Sequence, residues 1–266
     1  MNIKELIEKH GNSNENWLIL EFLTGKKSVE LKMELAFCVD SIYNEFLEII
    51  EKRKQNYPLQ YIFGKWEFYG LELFVDESAL IPRFETEILV DEILKLDCKK
   101  DKILDIGCGS GAISLALADN LKKSYVYGID INKEAIKLSN KNKEKLNLKN
   151  VEFFESDIFS NIKEKNFDII VSNPPYIDEV DMKTLEKELS FEPQNALYGG
   201  KDGLFFYKKI ISGSLDYLSA NGVLAFEIGY NQMKIISNLL IENGFEILLQ
   251  KKDFAGFDRI IIGKRR

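Results

Sequence analysis

From residue 102 onward the chain alternates short apolar runs with helical patterns, and that alternation restricts its fold more than any other feature. The runs at 102–106, 125–130, 151–155, 168–172, 223–228, 245–249 and 259–262 have strand length, and helical spacing separates most of them. Strands joined through helices run parallel by crossover, in a sheet covered on both faces. Only residues 250–258 join the last two runs, too few for a comfortable helix, so the final strand is expected to return antiparallel. The spacing thus predicts an α/β domain on a seven-stranded sheet. Ahead of it, Ile3, Leu6, Ile7, Trp17, Leu20, Leu31 and Leu35 recur at helical spacing, with breaks at Gly11 and Gly25. Between 57 and 81, aromatic residues including Tyr61, Phe63, Trp66 and Phe68 alternate with polar ones around Gly64 and Gly70, the pattern of a β-hairpin. The expected division is a helical domain over 1–75 that ends in a hairpin linker, and an α/β domain over 76–266.

Composition narrows the chemistry. The 266 residues carry a net charge of −7, which disfavours bulk electrostatic binding to nucleic acid. One histidine, His10, lies far from any other motif, so a Ser-His-Asp hydrolase lacks its imidazole. Cys38, Cys98 and Cys108 are odd in number and match no metal-site spacing, so no metal and no disulfide framework is expected. No apolar stretch approaches the roughly 18 to 20 residues of a membrane helix, and charge interrupts the first residues. The chain reads as cytoplasmic, reduced and without a membrane partner. His10 is expected on an exposed helix face.

The sequence Leu104-Asp105-Ile106-Gly107-Cys108-Gly109-Ser110-Gly111-Ala112 follows the first apolar run and opens a helical stretch. Glycines there let the backbone turn sharply and approach a ligand, and the helix start offers unpaired N–H groups. The spacing Gly107-x-Gly109-x-x-Ala112, with Asp130 following, also fits a dinucleotide-binding fingerprint. Asp105 helps to separate the two readings. A carboxylate before the loop would repel a pyrophosphate, whereas it attracts the ammonium and sulfonium of S-adenosylmethionine. Its alternative role is to bond backbone N–H groups of the turn. Asp130 is expected to accept from ribose hydroxyls, or otherwise to cap the helix that follows. Asp157 is placed to accept from an adenine amino group, with Ile158 or Phe159 against the ring.

The run 168–172 leads into Asn173-Pro174-Pro175-Tyr176. Two prolines leave the sheet in a stiff extended path and contribute no N–H. The Asn173 side-chain oxygen and the Pro174 carbonyl then stand as fixed acceptors, which suits a planar NH2 group carrying two donors. Accepting both hydrogens favours a pyramidal nitrogen and frees a lone pair that resonance otherwise removes, an effect specific to the transition state. Tyr176 is expected to pack over the planar group.

At this point the chain resembles a known family. Asn-Pro-Pro-Tyr after an apolar strand is shared by adenine N6 and protein glutamine N5 methyltransferases. The segments Pro58-Leu59-Gln60-Tyr61-Ile62-Phe63-Gly64, Leu80-Ile81-Pro82-Arg83-Phe84-Glu85-Thr86-Glu87, Phe191-Glu192-Pro193 and Ala196-Leu197-Tyr198-Gly199-Gly200-Lys201-Asp202-Gly203-Leu204 are similar to the release-factor glutamine methyltransferases. So are Glu227-Ile228-Gly229 with Gln232, and Asp253 with Gly256 and Arg259. The resemblance covers residues 58–266, with Phe84 where the family usually has proline.

It implies a Rossmann-like methyltransferase domain behind a helical substrate-recognition domain. The implied reaction is transfer of a methyl group from S-adenosyl-L-methionine to the glutamine of the Gly-Gly-Gln motif in class 1 peptide chain release factors. By the same resemblance, Gly107, Cys108, Gly109, Ser110, Gly111, Asp130, Asp157 or Ile158, and Asn173 contact the cofactor. Asn173, Pro174, Pro175 and Tyr176 hold the glutamine. The alternatives are an adenine N6 methyltransferase on DNA or RNA, a glutamine methyltransferase of a ribosomal protein, and a non-catalytic scaffold. Residues 1–75 carry nine basic and twelve acidic residues, a net −3 that disfavours a nucleic-acid recognition module. The lysines at 133, 137, 141, 145 and 149 are expected to form a solvated helix face.

Overall fold

Glycine closes the first two helices at both predicted breaks. In the computed structural model, which describes residues 1–266, α1 (Ile3–His10) ends at Gly11 and α2 (Asn14–Thr24) ends at Gly25 in the left-handed region. The start of α1 is a capping box, with Asn2 accepting the Glu5 N–H and the Glu5 side chain accepting the Asn2 N–H. Helices α3 (Ser28–Met33), α4 (Tyr43–Lys54) and the single turn α5 (Leu59–Phe63) complete a unit spanning Met1–Phe63. Ile3, Leu6, Trp17, Leu20, Leu31 and Phe46 fill its core. Two expectations change here. His10 is half-buried, its Nε2 3.1 Å from the Tyr43 hydroxyl and its ring edge-on to Phe46, and burial lowers its pKa. Tyr61 and Phe63 lie in the helical turn α5, not in the hairpin.

The second unit is Gly64–Arg266, so the hairpin belongs with it and the boundary falls after Phe63, not after residue 75. Strands β1 (Lys65–Phe68) and β2 (Leu71–Phe74) pair antiparallel across Tyr69-Gly70, both at positive φ, the turn whose twist matches that of the flanking strands. Then follow α6 (Phe84–Lys95), β3 (Lys102–Ile106), α7 (Ala112–Asn120), β4 (Tyr125–Asp130), α8 (Lys133–Lys145), β5 (Val151–Glu155) and β6 (Phe167–Ser172). After a long irregular segment come α9 (Phe205–Ser214), β7 (Leu218–Glu227), α10 (Met233–Glu242), β8 (Phe245–Lys252) and β9 (Asp258–Arg265).

The sheet order is β5-β4-β3-β6-β7-β9-β8, with β9 antiparallel to both neighbours. Apolar side chains on one sheet face pack with α6 and α7, as Ile103, Leu89 and Leu115 do. Those on the other face pack with α9 and α10, as Leu104, Ile210 and Ile236 do. No helix is long and apolar enough to cross a membrane.

Asn142 on α8 fastens the hairpin. Its side chain exchanges hydrogen bonds with the Phe74 N–H (2.6 Å) and carbonyl (3.0 Å), and also donates to the Ser110 carbonyl of the glycine loop at 3.0 Å. Lys133, Lys137 and Lys141 on the same helix are exposed, and Lys133 and Lys145 pair with Glu155 and Glu72.

Candidate active site

The carboxyl ends of β3, β4 and β6 open onto one cavity of about 320 Å³, the position where open α/β sheets bind ligands. Gly107, Cys108, Gly109 and Ser110 line it together with Asp130, Asp157 and Ile158, and with Asn173, Pro174 and Pro175. The structure therefore brings nearly every residue picked out from sequence to the lining of one cavity.

Three of those residues stand elsewhere. Asp105 does not line the cavity. Side chains alternate across a strand, so Asp105 shares the face of Ile103, which α7 covers. There its Oδ2 accepts the Ser114 N–H at 3.1 Å and the Ser114 hydroxyl at 2.6 Å, so it holds the first turn of α7 and not the glycine loop itself. Full burial pushes its carboxyl up to about 7, against the lowering effect of Ser114. Gly111 also lies behind the loop. Its φ of 84° and the Phe153 ring, 2.9 Å from where a Cβ would sit, leave room for no side chain.

Tyr176 is the third. The chain after Pro175 bridges Ile177 to Tyr198, and this carries the tyrosine to a neighbouring groove beside Gly229 and Gln232. Burial pushes its hydroxyl up to about 12. It does not line the cavity.

The glycine loop is held by its neighbours. Asp130 Oδ2 accepts the Gly109 N–H and Oδ1 accepts the Asn132 N–H, both at 2.9 Å. The carboxylate thus lines the cavity and ties the glycine loop to the turn after β4, while the cap of α8 is Asn132, whose side chain accepts the Glu134 N–H. Burial raises its pKa, partly offset by these N–H groups. Cys108 is buried, and burial raises its thiol well above the ordinary range, so it is not a reactive thiol.

The Asn-Pro-Pro loop is fixed from several directions. The Asn173 amide nitrogen donates to Thr86 Oγ1 at 3.2 Å, and the Thr86 hydroxyl donates to Glu227 Oε2 at 2.6 Å. Gln232 Nε2 donates to the Tyr176 and Gly203 carbonyls, each at 3.2 Å. Gly199 presses against the loop so closely that a Cβ there would lie 2.6 Å from the Pro175 carbonyl oxygen. Glu192, buried in the segment that follows, accepts the Ile81 N–H at 3.0 Å and pairs with Arg83. Sequence assigned no roles to Thr86, Glu192, Gly199, Glu227 or Gln232, although each falls in a segment carrying the resemblance.

The wall suits a sulfonium cofactor better than a dinucleotide. Arg83 is its one cationic residue and is already paired with Glu192, so nothing cationic is left to face a pyrophosphate. Asp130 and Asp157 supply acceptors, and Ile131 and Ile158 apolar surface for a ring. A Cβ at Gly107 would meet no protein atom within 4 Å, so the loop presents bare backbone to this space.

Comparison with known proteins agrees with this geometry. The Methyltransferase small domain family matches residues 84–202. A release factor glutamine methyltransferase from Fusobacterium nucleatum is 50% identical over 221 residues, covering 82% of this chain and 62% of that protein. Its counterpart from Thermodesulfovibrio yellowstonii is 37% identical over 266 residues, covering 98% of this chain and 95% of the other. Among solved structures, a methyltransferase from Pyrococcus furiosus shares the fold, with a TM-score of 0.61 at 19% identity over 80% of this chain and 98% of that one. The family match and these relatives make the chain an S-adenosylmethionine-dependent methyltransferase, on a fold and cavity that suit one. Within that class, the chain belongs to the release factor glutamine methyltransferase family.

Proposed function

We infer that this protein methylates the side-chain amide nitrogen of the glutamine in the Gly-Gly-Gln motif of class 1 peptide chain release factors. The observation that carries this reading is the placement of Asn173, Pro174 and Pro175 on the wall of the cavity that the glycine loop also lines. The relatives' names support the substrate. The helical unit is assigned to recognition of the release factor, and a substrate of translation termination puts the work in the cytoplasm.

S-adenosylmethionine, when bound, supplies a methyl group on a sulfonium leaving group. Gly107 to Ser110, Asp130, Asp157 and Ile158 hold it. Asn173 Oδ1 and the Pro174 carbonyl take the two amide hydrogens of the glutamine and favour a pyramidal nitrogen in line with the methyl carbon. As the new N–C bond forms in exchange for the methyl–sulfur bond, one of those two hydrogens leaves the nitrogen as a proton and passes to solvent when the product is released. The apolar wall keeps water from the nitrogen, which strengthens both acceptors.

A transfer assay with methyl-labelled cofactor tests the reading. Label is expected on a release factor and absent from its Gln→Ala variant in the Gly-Gly-Gln motif. Label on duplex DNA, with none on the intact factor, overturns it. A separate expectation concerns the cofactor: Asp130→Ala removes acceptors of charged hydrogen bonds and releases the Gly109 N–H. Calorimetry should show affinity weaker by roughly tenfold to a hundredfold, and unchanged binding would remove Asp130 from the site.

A further inference from the structure

Thr86 stands between a buried carboxylate and the residue that meets the substrate. Its hydroxyl oxygen lies 2.6 Å from Glu227 Oε2 and 3.2 Å from the Asn173 amide nitrogen, and Thr86 and Glu227 are both buried. A hydroxyl has a single hydrogen and an ionised carboxylate can only accept. The Thr86 hydrogen must therefore go to Glu227, which leaves only oxygen lone pairs toward Asn173. Asn173 then turns its NH2 to Thr86, and Oδ1 is left for the cavity.

We propose that Glu227 and Thr86 are positioning residues that set which end of the Asn173 amide faces the substrate nitrogen. The proposal rests on the glutamine reading and adds a control to it. A neutral Glu227 can donate to Thr86, whose hydrogen then swings to Asn173. The amide turns over and sets its own NH2 against the substrate NH2, donor against donor, and transfer stops.

The surroundings bring this reversal into a working pH range. Burial is the main influence on Glu227 and pushes its carboxyl up to about 7. Thr86, Arg259 on β9 and Arg83 before α6 favour the charged form, and Glu85 on α6 opposes it. Tyr176 and Tyr207 are the other ionisable groups facing it; the Tyr207 hydroxyl donates to the Glu227 backbone carbonyl at 2.9 Å.

Two readouts test the proposal. With release factor and cofactor saturating, kcat of the wild type is expected to fall about tenfold per pH unit below about 7, with the KM for cofactor unchanged. Glu227→Leu and Thr86→Val, which leave no acceptor or no hydroxyl in the chain, should lower kcat at pH 8 by roughly tenfold to a hundredfold and remove that acid limb, and Thr86→Ser should recover most of the rate. Wild-type kcat and an intact limb in both variants overturn the proposal.

The second readout needs no substrate. In protein labelled with ¹⁵N-asparagine, the side-chain amide signal missing from Asn173→Asp should titrate near pH 7 in the wild type and stay flat in Glu227→Gln. A flat wild-type signal overturns the relay whatever the protein methylates. Absence of release-factor labelling by the wild type would instead overturn the glutamine reading.

Discussion

Asn173→Ala is expected to lower kcat roughly a hundredfold to a thousandfold while the cofactor Kd changes by less than about tenfold. The asymmetry follows from what Asn173 does at each stage. It is one of many residues on the cavity wall, so the ground-state complex loses little when it is shortened. The developing bond needs an acceptor for a hydrogen of the substrate nitrogen, and alanine provides none. Single-turnover kinetics with a release factor, beside calorimetry with the cofactor alone, separate the two effects. Turnover within threefold of wild type would remove Asn173 from the chemistry, and a parallel loss of cofactor binding would make its role one of binding.

Glu192→Ala is expected to destabilise the α/β unit by about 2 kcal/mol. Glu192 is buried and serves two partners, the Ile81 N–H and the Arg83 guanidinium. Removing the carboxylate leaves the buried Ile81 N–H without its acceptor, while Arg83, a third exposed, loses its counter-ion but keeps contact with water. Glu192→Gln keeps an acceptor for Ile81 and should recover about half. The shift in the urea midpoint at unchanged slope measures this, and a change under about 1 kcal/mol would mean that water replaces the carboxylate. Activity should suffer as well, because Pro193, Asn195 and Ala196, just beyond Glu192, line the cavity.

The sequence was most informative where one short segment carried the whole signal. The runs 102–106, 125–130 and 151–155 coincide with β3, β4 and β5, because each is a compact apolar stretch bounded by turn residues. Strand β7 begins five residues before the predicted run. Leu218 to Gly222 include Ser219, Ala220 and Asn221, which carry no apolar alternation, and Leu218 joins the ladder through Phe167 next to a register shift.

In the site, the glycine loop, Asp130 and the Asn-Pro-Pro turn were legible because each motif is local. Asp105 was placed at the right strand end but on the wrong face, since spacing does not say which side of the sheet α7 will cover. The hydrogen-bonded chain from Asn173 through Thr86 to Glu227 joins residues 87 and 141 positions apart. No local pattern encodes such a separation. It exists because α6, β6 and β7 converge, which only the fold decides.

The segment between β6 and α9 has one more consequence, for how such a protein can change over evolutionary time. Its beginning is held by Gln232 and by the Ile177–Tyr198 bridge, and Glu192 holds its return, while residues 179–190 contain no buried side chain. An exposed excursion with both feet fixed can lengthen or shorten cheaply, since doubling a loop costs only about 0.6 kcal/mol of closure entropy. The acceptors at Asn173 and Pro174 need not move when it does. Residues 179–190 are thus a replaceable part, free to be refitted to a different protein surface while the transfer chemistry stays as it is.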